Sequence, residues 1–199
     1  MPERTSLAAI DARWDEMKAS NPRLFDGPCW HVLGMHRNGH GGAAVHVMRS
    51  SYRFHAVQDD EFDAGFRGLG VRAITRRGSE ILLGRRAEFL LRYAGLWEFV
   101  PAGKLEPGAD PAAMIVQELA EETGLHAAFA PAAIAVVFDP IARSWQIVYR
   151  INVRPDPPFK NSEEHSEMRW LAPDSLPGDL SPVDRLMTEL LSPEPSNPS

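Results

Sequence analysis

Three glutamates stand close together at positions 118, 121 and 122. On a helix, residues spaced i, i+3 and i+4 share one face. Their carboxylates repel one another at this spacing, and the helix dipole disfavours negative charge near a C-terminus. A divalent cation relieves both effects, because Mg²⁺ and Mn²⁺ prefer hard oxygen ligands. The spacing therefore indicates either a cation site or a solvated acidic helix face.

The residues around these glutamates carry the signals of a helix that has one packed side. Asp110 is a suitable N-cap, and Pro111 suits the first helical position, where no backbone N–H is needed. Gly124 predicts the end of the helix, since glycine readily adopts the left-handed conformation found there. The side away from the glutamates is predicted to pack inward through Val116, Leu119, Ala120 and Thr123.

Residues 103–125, GKLEPGADPAAMIVQELAEETGL, resemble the Nudix box, G-x5-E-x7-R-E-U-x-E-E-x-G-U, in which U is aliphatic. Two positions depart from the pattern, because Ala109 replaces a glutamate and Gln117 replaces the arginine. Seven positions match at the expected spacing, which makes the motif specific. They are Gly103, Glu118, Leu119, Glu121, Glu122, Gly124 and Leu125.

The resemblance implies a Nudix fold, of class α+β, in which a mixed sheet lies in an α/β/α sandwich. It also implies that Glu118, Glu121 and Glu122 are catalytic and bind Mg²⁺ or Mn²⁺. In the family, a backbone carbonyl in the turn before the box is a further metal ligand. That position corresponds to Ala102 or Gly103.

The two departures bear on activity. In the family, the glutamate and the arginine orient the loop and the helix, and they can form an ion pair. Loss of both partners of a pair can be nearly neutral for stability, whereas loss of one is costly. Ala109 and Gln117 therefore predict a folded box with an intact metal-binding face and altered support, with Lys104 and Glu106 as replacement candidates.

Two flanking segments supply further candidate site residues. VRAITRRGSEILLGRR resembles the opening Nudix strands, whose basic pair, here Arg85 and Arg86, would bind the substrate diphosphate through guanidinium groups. The alternative is a pair of solvated arginines at a strand end. NSEEHSEMR, before Trp170, resembles the region that often supplies a general base or an extra metal ligand. Its candidates are Glu163, Glu164 and Glu167, each of which could instead be a surface residue.

The sequence is predicted to divide into an extension at residues 1–65, packed on a Nudix domain at residues 66–191. An amphipathic helix is predicted at residues 6–20, a hairpin at 30–36 and 43–50, and a strand or crossover at 52–56. Residues 192–199 have too little apolar content to order and are predicted to be a disordered tail. Four histidines of the extension are interpreted as half-exposed strand residues rather than a metal site, namely His31, His36, His40 and His46.

Within the Nudix region, a second hairpin is predicted at 70–76 and 80–86, with later strands at 133–138 and 144–153. A closing helix is predicted at 182–191.

Composition narrows the function classes. The chain has 199 residues, of which 44% are hydrophobic and 24% charged, with a net charge of −6. This charge argues against a general nucleic-acid-binding protein but is compatible with a nucleotide substrate. The single cysteine, Cys29, excludes an internal disulfide and favours a cytoplasmic location. No run is long and apolar enough to predict membrane association, and an extension of this kind suggests a possible homodimer.

The resemblance implies metal-dependent attack of water on a diphosphate, giving a nucleoside monophosphate and a second phosphorylated product. The segments ARWDEM, NPRLFDGPCW and GFRGLGV loosely resemble UDP-sugar diphosphatases, so a UDP-sugar is the leading substrate candidate. ADP-ribose, other nucleotide sugars and dinucleotides stay open. So does a weakly active or inactive Nudix-fold sensor that only binds a nucleotide. A Nudix-type transcription regulator would need a basic winged-helix domain, which the length and charge do not supply.

Overall fold

The helices and strands largely follow the hydrophobic patterning of the sequence. The computed structural model describes residues 6–154, 160 and 162–191, so the predicted tail lies outside the described residues. The chain divides into two compact units. The N-terminal unit comprises Met1–Gly70, Lys104–Ala109 and Pro140–Trp145. The second unit comprises Val71–Gly103, Asp110–Asp139 and Gln146–Ser199, and the boundary expected at residue 65 stays a prediction.

The N-terminal unit begins with helix α1. Its bounds are Leu7–Ser20, and the Ser6 side chain caps it by accepting a hydrogen bond from the N–H of Ala9. Ile10 and Trp14 are buried on one side of α1 and form a small core with Ala56 and Val57. The predicted helix is therefore confirmed, although Leu7, at its first turn, is exposed.

Two strands and a short helix follow α1. Strands β1 (Pro28–Arg37) and β2 (Ala43–Ser51) pair antiparallel, which confirms the predicted hairpin. The next segment, predicted as a strand or crossover, is instead helix α2 (Arg53–Ala56). The Asp26 carboxylate accepts the backbone N–H of Arg53 at 2.9 Å and so satisfies an amide at the start of this helical turn.

The histidines of the hairpin contact protein groups. The rings of His36 and His46 are stacked with centroids 5.1 Å apart, and their Nδ1 and Nε2 atoms are separated by 3.3 Å. The Nδ1 atom of His31 accepts the backbone N–H of Arg67 at 3.0 Å. Of these three, His31 is half-buried and the other two are exposed.

The remaining elements belong wholly or mainly to the second unit. Strand β3 (Gly68–Arg77) passes from one unit into the other and pairs with β1, β4, β6 and β8. The described elements after β3 are β4 (Glu80–Arg86), β5 (Trp97–Phe99), β6 (Ala102–Lys104), α3 (Pro111–Thr123), β7 (Ala132–Asp139), β8 (Ser144–Asn152), β9 (His165–Leu171) and α4 (Pro182–Met187), which a 3-10 turn (Thr188–Leu191) follows.

These elements confirm the α+β class, with helices beside a mixed sheet and an N-terminal helix and hairpin in addition. The second hairpin and the two later strands are also confirmed, although the predicted closing helix is divided into α4 and a 3-10 turn. None of the described helices combines the length and apolar character of a membrane span.

Strand β4 lies between β5 and β9, and this placement determines which side chains share a face. In the pairing with β9, Arg85 stands opposite Glu167 and Arg86 stands opposite His165. The register shift between these two pairs leaves Ser166 as an extra residue on β9. Successive residues of β4 point to opposite faces. His165 therefore shares a face with Arg86, and Glu167 lies on the other face with Arg85.

The core of the second unit is apolar and formed mainly by strands. Its buried members are Ile74, Ile81, Leu83, Trp97, Phe99, Val148, Leu180, Met187 and Leu191. Helix α3 contributes a separate buried side that differs from the prediction. Ile115, Leu119 and Thr123 are buried as a strip, whereas Val116 and Ala120 are only half-buried. Glu122 is buried with this strip, which places it on the packed side of the helix rather than on an exposed acidic front.

Candidate active site

Helix α3 is held at both ends by the residues that the sequence indicates. The Asp110 side chain accepts the N–H of Ala113 at 2.8 Å, and Pro111 occupies the first turn. Gly124 ends the helix in the left-handed conformation, with φ of 72°. These contacts fix where α3 begins and ends, and they confirm the predicted caps. The position of the three glutamates along the axis of the helix follows from these ends.

The three glutamates have different surroundings. Glu122 is only 7% exposed, Glu118 is half-buried and Glu121 is exposed. The carboxylate of Glu121 accepts a hydrogen bond of 2.7 Å from the side-chain amide of Gln117, one helical turn earlier. Gln117, which stands where the family has arginine, therefore contacts a glutamate of the box itself.

Glu118 and Glu122 both lie against Ala102 and Gly103, at the start of β6. The backbone N–H of Ala102 donates to Glu122 Oε1 at 3.3 Å. A Cβ atom on Gly103 would come within 2.7 Å of Glu118 Cδ, which is closer than real Cβ contacts allow. Glycine thus permits the Glu118 carboxylate to approach the backbone here so closely. The family resemblance assigns a carbonyl of these two residues as a metal ligand, in a segment that it describes as a turn and that is a strand in this structure.

Glu122 lies in surroundings that disfavour its charge. Burial raises its pKa well above that of an ordinary carboxyl group. Neighbouring negative charges add to the increase, in the order Glu98, Glu164 and Glu118. The hydrogen bond from Ala102 lowers the pKa but does not offset these effects.

The donor atoms of this arrangement suit a small divalent cation. Glu118 and Glu122 supply hard carboxylate oxygens beside the backbone of β6, and a cation would relieve the repulsion that surrounds Glu122. Among residues 6–154, 160 and 162–191, no three His, Cys, Asp or Glu side chains converge as a metal-holding group. Glu121 is the exposed member of the predicted trio, and its carboxylate binds Gln117.

A second buried carboxylate, Glu98, lies in the same unit and did not emerge from the sequence. It is 2% exposed and accepts three charged or polar donors. The distances are 3.0 Å from Arg72 Nη1, 2.6 Å from Arg86 Nη1 and 3.0 Å from His165 Nε2. Burial alone would raise its pKa, but the hydrogen bond from His165 and the two arginine charges lower the pKa of Glu98 below its usual range. Its one signal in the sequence is a charged residue within the apolar run LWEFVP.

Helix α4 supplies the other buried carboxylate of this network. Both oxygens of Asp184 lie 3.0 Å from Arg72 Nη1, and Oδ1 also accepts the backbone N–H of Phe99 at 3.1 Å. Burial raises the pKa of Asp184 to about 6; Arg72 opposes this increase and the charge of Glu98 adds to it. Arg72 thus joins two buried carboxylates, from β5 and from α4.

Arg85 and Arg86 hold the loop that joins β4 to β5. The Nε atom of Arg85 donates to the carbonyl of Gly95, and the Nε atom of Arg86 donates to the carbonyl of Arg92, each at 2.9 Å. Arg86 also pairs with Glu98 and is half-buried, whereas Arg85 is exposed. Their predicted role in binding phosphate stays a prediction, and each has a structural contact in addition.

Of the three acidic candidates near β9, two lie in one turn and the third lies on the strand itself. Glu163 and Glu164 are exposed and lie in the turn before β9, where the carbonyl of Glu164 accepts the N–H of Ala87 at 2.8 Å. The charge of Glu164 acts on Glu122, as its effect on that pKa shows. Glu167 pairs with Arg169 and lies on the face opposite His165.

Comparison with known proteins identifies the family of this chain. The sequence model of the NUDIX domain matches residues 66–191, which is more than half of the chain. The chain belongs to the NUDIX domain family. It is therefore a hydrolase of phosphoric anhydrides, the linkage found in nucleoside diphosphate compounds. No curated protein sequence matches the chain significantly.

Solved structures share the NUDIX fold. The MutT protein of Methanosarcina mazei Go1 is 26% identical, with a TM-score of 0.53 over 62% of this chain and 91% of that one. The MutT NUDIX hydrolase of Burkholderia pseudomallei is 23% identical, with a TM-score of 0.53 over 62% of this chain and 97% of that one. A bifunctional NMN adenylyltransferase/ADP ribose pyrophosphatase of Francisella tularensis is 21% identical, with a TM-score of 0.52 over 66% of this chain and 42% of that one.

Proposed function

We propose that this NUDIX protein hydrolyses a nucleoside diphosphate derivative in a reaction that requires Mg²⁺ or Mn²⁺. The products would be a nucleoside monophosphate and a second phosphorylated compound. The observation that carries the proposal is that Glu118 and Glu122 both lie against the backbone of Ala102 and Gly103 in β6, with Glu122 buried among carboxylates. A site that concentrates negative charge in this way favours a divalent cation.

Glu118 and Glu122 would hold the metal ion with the carbonyl of Ala102 or Gly103. When bound there, the ion would lower the pKa of a water molecule and neutralise charge that develops on the phosphoryl group. Glu121 is exposed and its carboxylate binds Gln117. To act as a catalytic or metal-binding residue, it would have to exchange that contact for one with the metal ion.

Other side chains would accept the proton and bind the substrate phosphate. Glu164 is the favoured acceptor of the water proton, because its charge already acts on Glu122. Glu163 is an adjacent alternative, and Glu167 is disfavoured because it lies on the other face of the sheet. Arg85, exposed at the end of β4, is the favoured partner of the substrate phosphate, since Arg86 is half-buried against Glu98.

A UDP-sugar is the first substrate to test, on the strength of the sequence resemblance in the N-terminal half. The decisive experiment incubates the protein with UDP-glucose, UDP-galactose, ADP-ribose and dinucleoside polyphosphates, with Mg²⁺, Mn²⁺ or EDTA. Phosphate is measured after a coupled phosphatase step. We expect metal-dependent turnover of at least one compound and loss of turnover in EDTA. Absence of turnover across the panel, or full turnover in EDTA, would contradict the proposal.

A second candidate function is nucleotide binding without hydrolysis. The observation that favours it is the altered box, in which Ala109 and Gln117 remove two charges and Gln117 instead bonds Glu121. Calorimetric binding of a nucleotide from the same panel, together with no product after long incubation, would support this function over catalysis. The cytoplasmic location and the homodimer expected from the sequence stay predictions.

A further inference from the structure

His165 lies between the two buried glutamates. Its side chain is 1% exposed, and its Nε2 atom lies 3.0 Å from Glu98 Oε1. On the other side of the ring, Nδ1 lies 3.1 Å from the hydroxyl of Ser162 and 3.8 Å from Glu122 Oε2. The ring therefore borders the carboxylate of Glu122 on the side away from the Ala102 N–H, which contacts the other oxygen.

The hydrogen-bond partners define the orientation of the ring. Glu98 already accepts donors from two arginines, so His165 Nε2 must donate to it. In the neutral ring, Nδ1 is then an acceptor, which matches the Ser162 hydroxyl as its donor. Both ring nitrogens are thus satisfied, and the ring is fixed in one orientation.

Gly84 provides the space that this orientation needs. It stands opposite Glu98 on β5 and opposite Met168 on β9, so the His165 ring crosses β4 above it to reach Glu98. A Cβ atom on Gly84 would collide with the ring of His165 and would lie 2.8 Å from Val100 Cγ2. The φ of Gly84 lies outside the left-handed region, so its backbone conformation does not require glycine. What requires glycine here is the close approach of the His165 ring.

We propose that His165 is a positioning residue whose ring, packed beside Oε2 of Glu122, keeps that carboxylate against Ala102 and so sets the metal affinity of the site. Glu98 and the space at Gly84 hold the ring in place. This inference rests on the proposed function, since it assigns Glu122 as a metal ligand. Groups that hold a ligand in its bound orientation raise affinity, because less side-chain freedom is lost on binding.

The test measures Mn²⁺ binding directly, in the absence of nucleotide, from the electron paramagnetic resonance signal of free Mn²⁺. Gly84→Ala displaces the ring without removing a polar group. His165→Gln keeps a donor that can reach Glu98, whereas His165→Asn is too short to do so. The matched controls are Gly178→Ala, where an added Cβ atom would meet no other part of the protein within 4 Å, and His126→Gln, at an exposed histidine.

We expect Gly84→Ala and His165→Asn to weaken Mn²⁺ binding by about 10- to 100-fold. His165→Gln should lie between these variants and the wild type, and the controls should match the wild type. In assays with substrate, the metal concentration for half-maximal rate should rise in parallel while the KM for the nucleotide stays constant. A purely structural role for His165 would lower thermal stability and leave Mn²⁺ affinity unchanged.

The result that overturns the inference is folded Gly84→Ala and His165→Asn proteins that bind Mn²⁺ as the wild type does. If Gly84→Ala does not fold, the two His165 variants decide. Turnover and Mn²⁺ binding by the wild type report separately on the proposed function. Equal affinity across the variants would thus reject the role of His165 alone, whereas a wild type that neither binds Mn²⁺ nor turns over substrate would reject both.

Discussion

Glu122 lies in surroundings that oppose stability, and the proposed function makes it a metal ligand. It is buried on the packed side of α3, its neighbours are other carboxylates, and its pKa is raised well above that of an ordinary glutamate. A group whose pKa is higher in the folded state contributes stability below the pKa of the unfolded chain, and that contribution is lost as pH rises through the folded pKa. Ionised Glu122 therefore destabilises the metal-free protein at alkaline pH.

This pH dependence of stability gives a prediction for Glu122→Gln in the metal-free protein. Glutamine has nearly the same shape and no charge to bury, so we expect the melting temperature at pH 8 in EDTA to rise by a few degrees. The difference should shrink toward pH 4, where Glu122 is protonated in both states. Thermal unfolding followed by circular dichroism measures both values.

The matched control is Glu121→Gln, because Glu121 is exposed and bonded only to a neighbouring side chain in the described contacts. We expect it to change the melting temperature little at either pH. A Glu122→Gln protein that is no more stable than the wild type at pH 8 would show that burial does not disfavour this charge.

At the scale of elements, α4 is joined to β3 and β5 by polar contacts within the core. Asp184 is fully buried and binds Arg72 Nη1 and the N–H of Phe99. The hydroxyl of Ser181 also binds Asp184 at the start of the helix. Without Asp184, Arg72 would keep Glu98 as its carboxylate partner, but the buried N–H of Phe99 would lose its acceptor. The position of α4 therefore depends on one carboxylate.

We predict that Asp184→Ala destabilises the protein by about 3–5 kcal/mol. Urea unfolding measures this loss, with Asp174→Ala at an exposed position as the control. The double variant Arg72→Met, Asp184→Leu should lose less than the sum of the single variants, because each single variant already removes the contact between these two residues. A loss below about 1 kcal/mol for Asp184→Ala would indicate that the pair contributes little.

The sequence predicts well what depends on neighbours along the chain. The caps at Asp110 and Gly124 and the helix at the N-terminus follow from local rules. The segment that became α2 was misjudged, because its amide partner, Asp26, is 27 residues away.

The contacts that the sequence does not predict join distant residues. Glu98 and His165 are 67 residues apart, and Arg72 and Asp184 are 112 residues apart. Helical periodicity placed the three glutamates on one face, but which of them is buried depends on β6 at Ala102 and on β9. The spacing of Glu163, Glu164 and Glu167 likewise does not show that Glu167 lies on the face opposite His165, which follows from the register of β9 against β4.

At the scale of the whole molecule, a net charge of −6 has to accommodate an anionic substrate. The second unit has arginines at the end of β4 and, under the proposed function, carboxylates that would hold a cation. Its departures from the Nudix box remove two charged side chains, and neither Glu118 nor Glu122 is among them. We therefore expect hydrolysis to depend on a metal ion that is held through Glu122.

The most direct test compares the Mg²⁺-dependent kcat of the wild type and Glu122→Gln on the best substrate of the panel. Loss of a metal ligand should reduce kcat by more than the roughly 10- to 100-fold typical of a residue that only supports a ligand. Because the same variant is expected to be more stable without metal, misfolding would not explain the loss. Equal rates for the two proteins would contradict metal catalysis by this helix.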